Sequence, residues 1–242
     1  MKHFFVLFSF LFLIQTSNAQ LFRKEKVTYD ANQGRGSTDY KLLRWGYFLG
    51  FSQYDFNFDY KNDLRDIYVK RSTGFNVGLI GNMRINDYID LRIEPGLFIT
   101  ARELYYSQTH FPGGPSRSSD LTREVKSTYI HLPLLVKFST KRINNFKPFV
   151  VGGISTALNL SSNENNPDDN SNGQFRLKKN NLFYEVGFGI DFYLYNFKFT
   201  PSIRGIFSMK NELVPDRDPN SPWTSNIESM QTRALLINFT FQ

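Results

Sequence analysis

Residues 88–103 read YIDLRIEPGLFITARE, and the fold follows from their alternation. Leu91, Ile93, Leu97 and Ile99 share one parity, whereas Asp90, Arg92, Glu94, Thr100 and Arg102 share the other. Side chains point to opposite sides of an extended chain in turn, so this segment has one oily face and one ionic face. Residues 182–195 repeat the pattern, with Tyr184, Val186, Phe188 and Ile190 opposed to Glu185 and Asp191. Residues 126–140 set Ile130, Leu132, Leu134, Val136 and Phe138 against His131 and Lys137. A soluble sandwich has the same period. Here, however, each apolar face runs for roughly the 9 to 11 residues that a strand needs to cross a bilayer. Aromatic residues collect near the strand ends, at Trp45 and Tyr47, Tyr54 and Phe56, Tyr105 and Tyr106, Tyr195 and Phe197, and Phe239 and Phe241, as interfacial girdles do.

The connections supply the topology. Asn86-Asp87, residues 141–145 and Tyr195-Asn196 are tight links, whereas 56–72, 104–123, 160–180 and 211–230 are long, polar and irregular. Their alternation predicts eight strands, at about 44–55, 74–85, 88–103, 126–140, 147–159, 182–195, 198–210 and 231–241. The expected fold is all-β: an eight-stranded antiparallel up-and-down transmembrane β-barrel with short periplasmic turns and long extracellular loops. Such a barrel sits in a bacterial outer membrane with both termini periplasmic. Pro95, Pro133 and Pro201 fall inside predicted strands, where a missing N–H is costly, and local bulges are the expected accommodation.

Composition agrees with one such domain. The 242 residues are 40% hydrophobic and 17% aromatic, with 25 Phe and 13 Tyr, and a mean hydropathy of -0.39 is too polar for a bundle of membrane helices. Lys2, the apolar run Phe4 to Ile14 and the small residues Ser17-Asn18-Ala19 read as a cleaved secretory signal, residues 1–19. A periplasmic segment, 20–43, and the barrel, 44–242, are expected to follow. The absence of Cys excludes disulfides, thiol catalysis and Cys-based metal sites.

By parity, Asp90, Glu94, Glu185 and Asp191 meet Arg92, Arg102, Lys137, Lys198 and Arg204 in a lumen that, at eight strands, is filled by side chains. Unpaired burial of any of these charges is strongly unfavourable, so an interlocked ionic plug is expected. His131 reads as a lumen histidine bonded to its neighbours, and His110 lies in a long loop. No motif commits the chain to catalysis, and no cofactor or metal is expected. Asp168 to Gly173 matches the start of a calcium loop, but Lys179 stands where the glutamate is needed, so the segment reads as a solvated Asn-rich loop. Gly187 and Gly189 sit within a strand and are expected to make room for large lumen side chains.

The formal net charge is +7, and the +6 that remains once Lys2 leaves with the signal is concentrated on the short-turn side. Arg23, Lys24, Lys26, Arg35, Lys41, Arg44, Arg84, Lys141, Arg142 and Lys147 are met there only by Glu25, Asp30, Asp39 and Asp87. This basic rim suits either inner-leaflet lipid phosphates or an acidic protein partner. Lys141, Arg142 and Lys147 form its most compact part, and charge reversal there is expected to spare folding.

Three stretches carry a family resemblance: GFNVGLIGNMRINDYIDLRIEPGLFITARELYY at 74–106, STYIHLPLLVKFSTKRINNFKPFVVGG at 127–153 and YEVGFGIDFYLYNFKFTPSIRGIFSMKN at 184–211. They resemble the PorT (SprT) proteins of the Bacteroidota type IX secretion system. The resemblance implies a non-enzymatic outer-membrane accessory to the export of cargo with C-terminal sorting domains, and of gliding adhesins in gliding species. Implied partners are outer-membrane lipids and other secretion components, with no nucleic acid and no small-molecule substrate. A generic small barrel that stabilises the envelope or binds a ligand is the alternative, and an outer-rim hydrolase a more distant one.

Overall fold

The computed structural model describes residues 42–62, 66–111, 113–115, 117–166, 175–194 and 197–242. Ten strand segments follow in chain order: β1 (Leu43–Tyr60), β2 (Tyr68–Arg71), β3 (Thr73–Arg84), β4 (Ile89–Ile93), β5 (Gly96–Tyr105), β6 (Thr122–Ser139), β7 (Phe146–Asn159), β8 (Asn180–Tyr193), β9 (Lys198–Ser208) and β10 (Ile227–Phe241). β2 with β3, and β4 with β5, each occupy one place in the ring, so the segments fill eight places. Each pairs antiparallel with the next, and β1 closes on β10 from Tyr47↔Phe241 to Tyr60↔Ile227. Closure leaves no sheet edge, which is how a sheet satisfies its backbone in hydrocarbon.

Strand parity sorts the side chains as the sequence predicts. Phe51, Leu79, Ile99, Ile130, Leu134, Val150, Ile154, Val186, Phe188 and Leu235 are exposed on the outer wall, whereas Phe48, Asn76, Phe98, Leu135 and Ile206 are buried in the bore. At the short-turn end Tyr47 stacks on Phe241 with ring centroids 5.3 Å apart, and Phe199 stacks on Phe239 at 6.2 Å. The short turns are closed by backbone bonds such as Ile143 N–H to Phe146 O at 2.9 Å and Leu194 N–H to Phe197 O at 3.0 Å. Asn144 supplies the first of these with a left-handed residue, φ 53°, which Asn tolerates better than most side chains. Tyr195-Asn196, Asp168 to Gly173 and residues 1–41 lie outside the described residues.

Two expectations are corrected. The strands run further towards the long loops than the hydrophobic pattern indicates: residues 56–60, 122–125 and 227–230 are ladder, not loop. There the outward face turns polar, with Asn57, Asp59, Glu124 and Ser229, so the oily period fades while the backbone pairing persists. The prolines, too, are absorbed without bulges. Register is unchanged on either side of Pro95, from Gly81↔Ile93 to Gly78↔Gly96, and β6 and β7 stay in step through Pro133↔Ser155. Ser139 N–H bonds Tyr88 O, so odd residues of β6 send their amides towards β4 and β5, and Pro133 meets Glu94 beside Pro95. Two missing donors thus fall at one level and explain the break between β4 and β5. Pro201 likewise coincides with the interruption of the β8–β9 ladder between Gly189↔Ser202 and Phe192↔Phe199.

A bulge does occur elsewhere. β2 pairs with β5 as Arg71↔Arg102 and β3 pairs with it as Phe75↔Ile99, registers that differ by one residue across Ser72. The extra residue re-aims the side chain beside it.

Candidate functional site

Every residue expected in the lumen plug is buried: Asp90, Arg92, Glu94, Arg102, Lys137, Glu185, Asp191, Lys198 and Arg204. The structure brings most of them into two clusters. Towards the short-turn end, Asp191 accepts bonds from the Lys137 ammonium and from Thr200 Oγ1 at 2.7 Å, and Lys198 Nζ lies 3.7 Å away. The Phe149 ring sits under two cations, with Lys137 Nζ 4.1 Å and Arg92 Cζ 5.4 Å from its centroid. One level further, Glu94 joins Arg92 at 3.3 Å and Arg204 at 2.8 Å, and Arg204 reaches Glu185 at 3.1 Å. A Cβ on Gly189 would sit 2.5 Å from the Phe149 ring, so that glycine gives room to a large lumen side chain, whereas one on Gly187 would run into the Ile203 carbonyl oxygen, so Gly187 instead admits the close approach of the β9 backbone.

Two of the nine stand apart. Asp90 faces Lys137 in register but makes no ion pair among the described residues. Among the described residues Arg102 has no acid at ion-pair distance; it donates to Ser127 at 3.1 Å and Tyr129 at 3.3 Å, and stacks over Phe56 with 3.9 Å to the centroid. It lies between Phe56 and an aromatic level in which Tyr54 stacks on Tyr129 beside Phe48, Phe98 and Phe183.

His131 gathers a serine and a glutamate, with Nε2 2.9 Å from Ser155 Oγ and 3.0 Å from Glu185 Oε1. A nucleophile triad needs the acid on the other ring nitrogen, where it holds the tautomer while Nε2 takes the serine proton. Here both partners converge on one nitrogen, deep in the bore, and the geometry is that of a packed lumen bond.

Sequence reading missed the mouth at the long-loop end. Phe56, Ile67, Leu104, Tyr106, Val125, Phe175, Leu177, Leu213, Ile227 and Met230 form a buried apolar cluster, with Trp223 and Phe111 packed against it. Several of these come from the long connections, and the signal was there as large apolar side chains in segments that otherwise read as polar. Glu212 lies beneath this layer, accepting from Thr232 Oγ1 at 2.9 Å and Asn181 Nδ2 at 3.3 Å. Burial pushes its carboxyl above the usual range, against the opposing effect of Ser208, Arg102 and Thr232. Burial also raises the Tyr106 hydroxyl, which donates to Trp223 O at 3.2 Å.

The basic rim is less free than its charge suggests. Lys141 is exposed. Arg142, by contrast, donates to Asn144 O at 2.6 Å and lies 4.2 Å over the Tyr193 ring, and Lys147 Nζ bonds Asp87 O at 3.0 Å, tying two turns together. Arg84 is paired with Asp87, and Arg44 is buried in the bore, not on the rim. Charge reversal at Arg142 or Lys147 therefore removes turn contacts, contrary to the expectation that the whole rim is dispensable for folding. Arg23, Lys24, Lys26, Arg35 and Lys41 lie outside the described residues.

A third feature lies on the outer wall, just past the apolar band at the long-loop end. Asp55 Oδ2 accepts from Arg71 at 2.9 Å and from Arg233 at 2.8 and 2.9 Å, and both guanidinium groups are half-exposed. The bulge at Ser72 turns Arg71 outward, although it pairs in register with the inward Arg102.

A ring of eight antiparallel places, oily outside and filled within, defines an outer-membrane β-barrel. The chain belongs to the family described as outer membrane protein beta-barrel domain, whose profile matches residues 18–214. Among solved structures it is similar to OprG of Pseudomonas aeruginosa, with 14% identity, a TM-score of 0.43, and coverage of 82% of this chain and 93% of that one. It is also similar to Neisserial surface protein A, at 10% identity and a TM-score of 0.40, covering 82% and 97%. Ail of Yersinia pestis, solved in complex with the heparin analogue sucrose octasulfate, is 16% identical with a TM-score of 0.38, covering 81% and 96%. No curated protein matches the sequence.

Proposed function

We propose that this protein is a closed outer-membrane barrel that acts through its surfaces, stabilising the envelope or binding a ligand, and is neither a conduit nor an enzyme. The observation that carries this reading is the filled bore: two ionic levels, an aromatic level and an apolar mouth follow one another along it. The reading assigns no cofactor, places 1–19 as a signal and 20–43 as a periplasmic segment before the barrel 44–242, and puts both termini in the periplasm.

A second reading, accessory function in type IX secretion, is favoured by the resemblance of 74–106, 127–153 and 184–211 to PorT proteins. In that reading the rim residues Lys141, Arg142 and Lys147 face the secretion machinery. Deletion of the gene separates the two. Loss of barrier function towards detergents, with normal export of cargo bearing C-terminal sorting domains, supports the first reading. Arrested export that the wild-type gene restores and Lys141→Glu does not supports the second.

A further inference from the structure

The Arg71–Asp55–Arg233 cluster has no role in filling the bore, since all three side chains stand on the outer wall. They lie where the apolar face gives way to polar residues. Along β1 the outward residues pass from Phe51 to Gln53 and Asp55, and along β10 from Ile237 and Leu235 to Arg233. Two guanidinium groups share a single carboxylate oxygen, so the cluster carries a net positive charge. Three N–H groups point at Asp55, whereas two guanidinium groups hold ten donors. Beneath the arginines a groove of about 290 Å³ is bounded by Gly205, Phe207, Ala234 and Leu235. Gly205 lets the Phe207 ring lie flat against the wall, since a Cβ there would come within 2.9 Å of that ring.

We propose that this surface binds the phosphorylated headgroup of an outer-leaflet glycolipid of the lipid A type, with the phosphate on Arg71 and Arg233 and an acyl chain along Gly205, Phe207 and Leu235. Charge complementarity selects the occupant: paired guanidinium groups match a phosphate monoester with forked hydrogen bonds. Position selects its source. The arginines stand at headgroup depth, directly above lipid-facing apolar side chains, where a free anion has no use for the groove. Asp55 then acts as a spacer that holds two like charges together in the empty site and competes with the phosphate for them.

The test uses the full-length mature protein in detergent, folding being verified by heat-modifiable gel mobility, and titrates bisphosphoryl lipid A by native mass spectrometry. The expected results are a loss of affinity of at least tenfold in the Arg71→Gln/Arg233→Gln double variant and tighter binding in Asp55→Asn, which frees both arginines. Wild-type protein should bind dephosphorylated lipid A, phosphatidylglycerol and inorganic phosphate at least tenfold more weakly. Equal affinity of wild type and double variant, or of lipid A with and without phosphate, overturns the proposal. So does inorganic phosphate or phosphatidylglycerol binding as well as lipid A. If the double variant fails to fold, Asp55→Asn decides, and unchanged or weaker binding there overturns the proposal as well.

Discussion

At the scale of single residues, the bore is a set of charges whose burial is tolerable only in company. Asp191 offsets both Lys137 and Lys198, so Asp191→Asn removes the ion-pair partner of two buried ammonium groups. Removing one partner from a buried pair costs about 3–5 kcal/mol, and a drop of that order is expected in urea unfolding from detergent or lipid. Lys70→Ala breaks an exposed pair with Glu103 and should leave the unfolding midpoint nearly unchanged. Glu212 supplies a pH dependence of opposite sense to that of a paired surface acid. Burial holds its folded pKa above the ordinary glutamate value of about 4.5, so the protonated form is the one the fold favours. Its contribution to stability is complete below about pH 4.5 and is lost as pH rises through the raised folded value. Glu212→Gln should therefore flatten the pH dependence of protease resistance in the 209–226 connection. These charges were legible because inward parity and charge coincide in 88–103 and 182–195. Glu212 was not, because a loop has no parity from which burial can be read.

At the scale of elements, the sequence reveals the membrane-crossing part of each strand and hides the rest. The oily period exists only where one face meets lipid. β1 and β10 therefore read as ending near the band, although their ladder continues to Tyr60↔Ile227. Prolines mislead for a related reason: their cost depends on which neighbour the absent N–H would have met. Pro133 faces Glu94 next to Pro95, so the two losses share one gap in the wall. Pro133→Ala restores a donor to the Glu94 carbonyl and should stabilise the barrel by about 0.5–1.5 kcal/mol, measured as a shift in the unfolding transition. The turns divide in the same way. Lys141→Glu should fold and insert normally, whereas Lys147→Glu, which removes the bond to the 84–88 turn, should lower the unfolding midpoint. Equal midpoints for the two variants would show that the link between turns contributes nothing.

At the scale of the whole molecule, closure is redundant. An eight-place barrel has a bore just wide enough for side chains, and here four successive levels occupy it. The ionic levels were readable from parity; the apolar mouth was not, because Phe175, Leu177, Leu213 and Trp223 come from connections whose folding back into the collar leaves no periodic trace. The arrangement makes a specific prediction about conductance. Purified wild-type protein in planar bilayers should show no stable large channel. Phe175→Ala combined with Trp223→Ala strips the outermost layer and should weaken the loops without opening a path, since the Tyr54–Tyr129 stack and the Glu94–Arg204–Glu185 chain remain across the bore. Channels that appear only in the double variant would make the mouth the sole seal, and stable channels in the wild type would overturn the closed barrel itself.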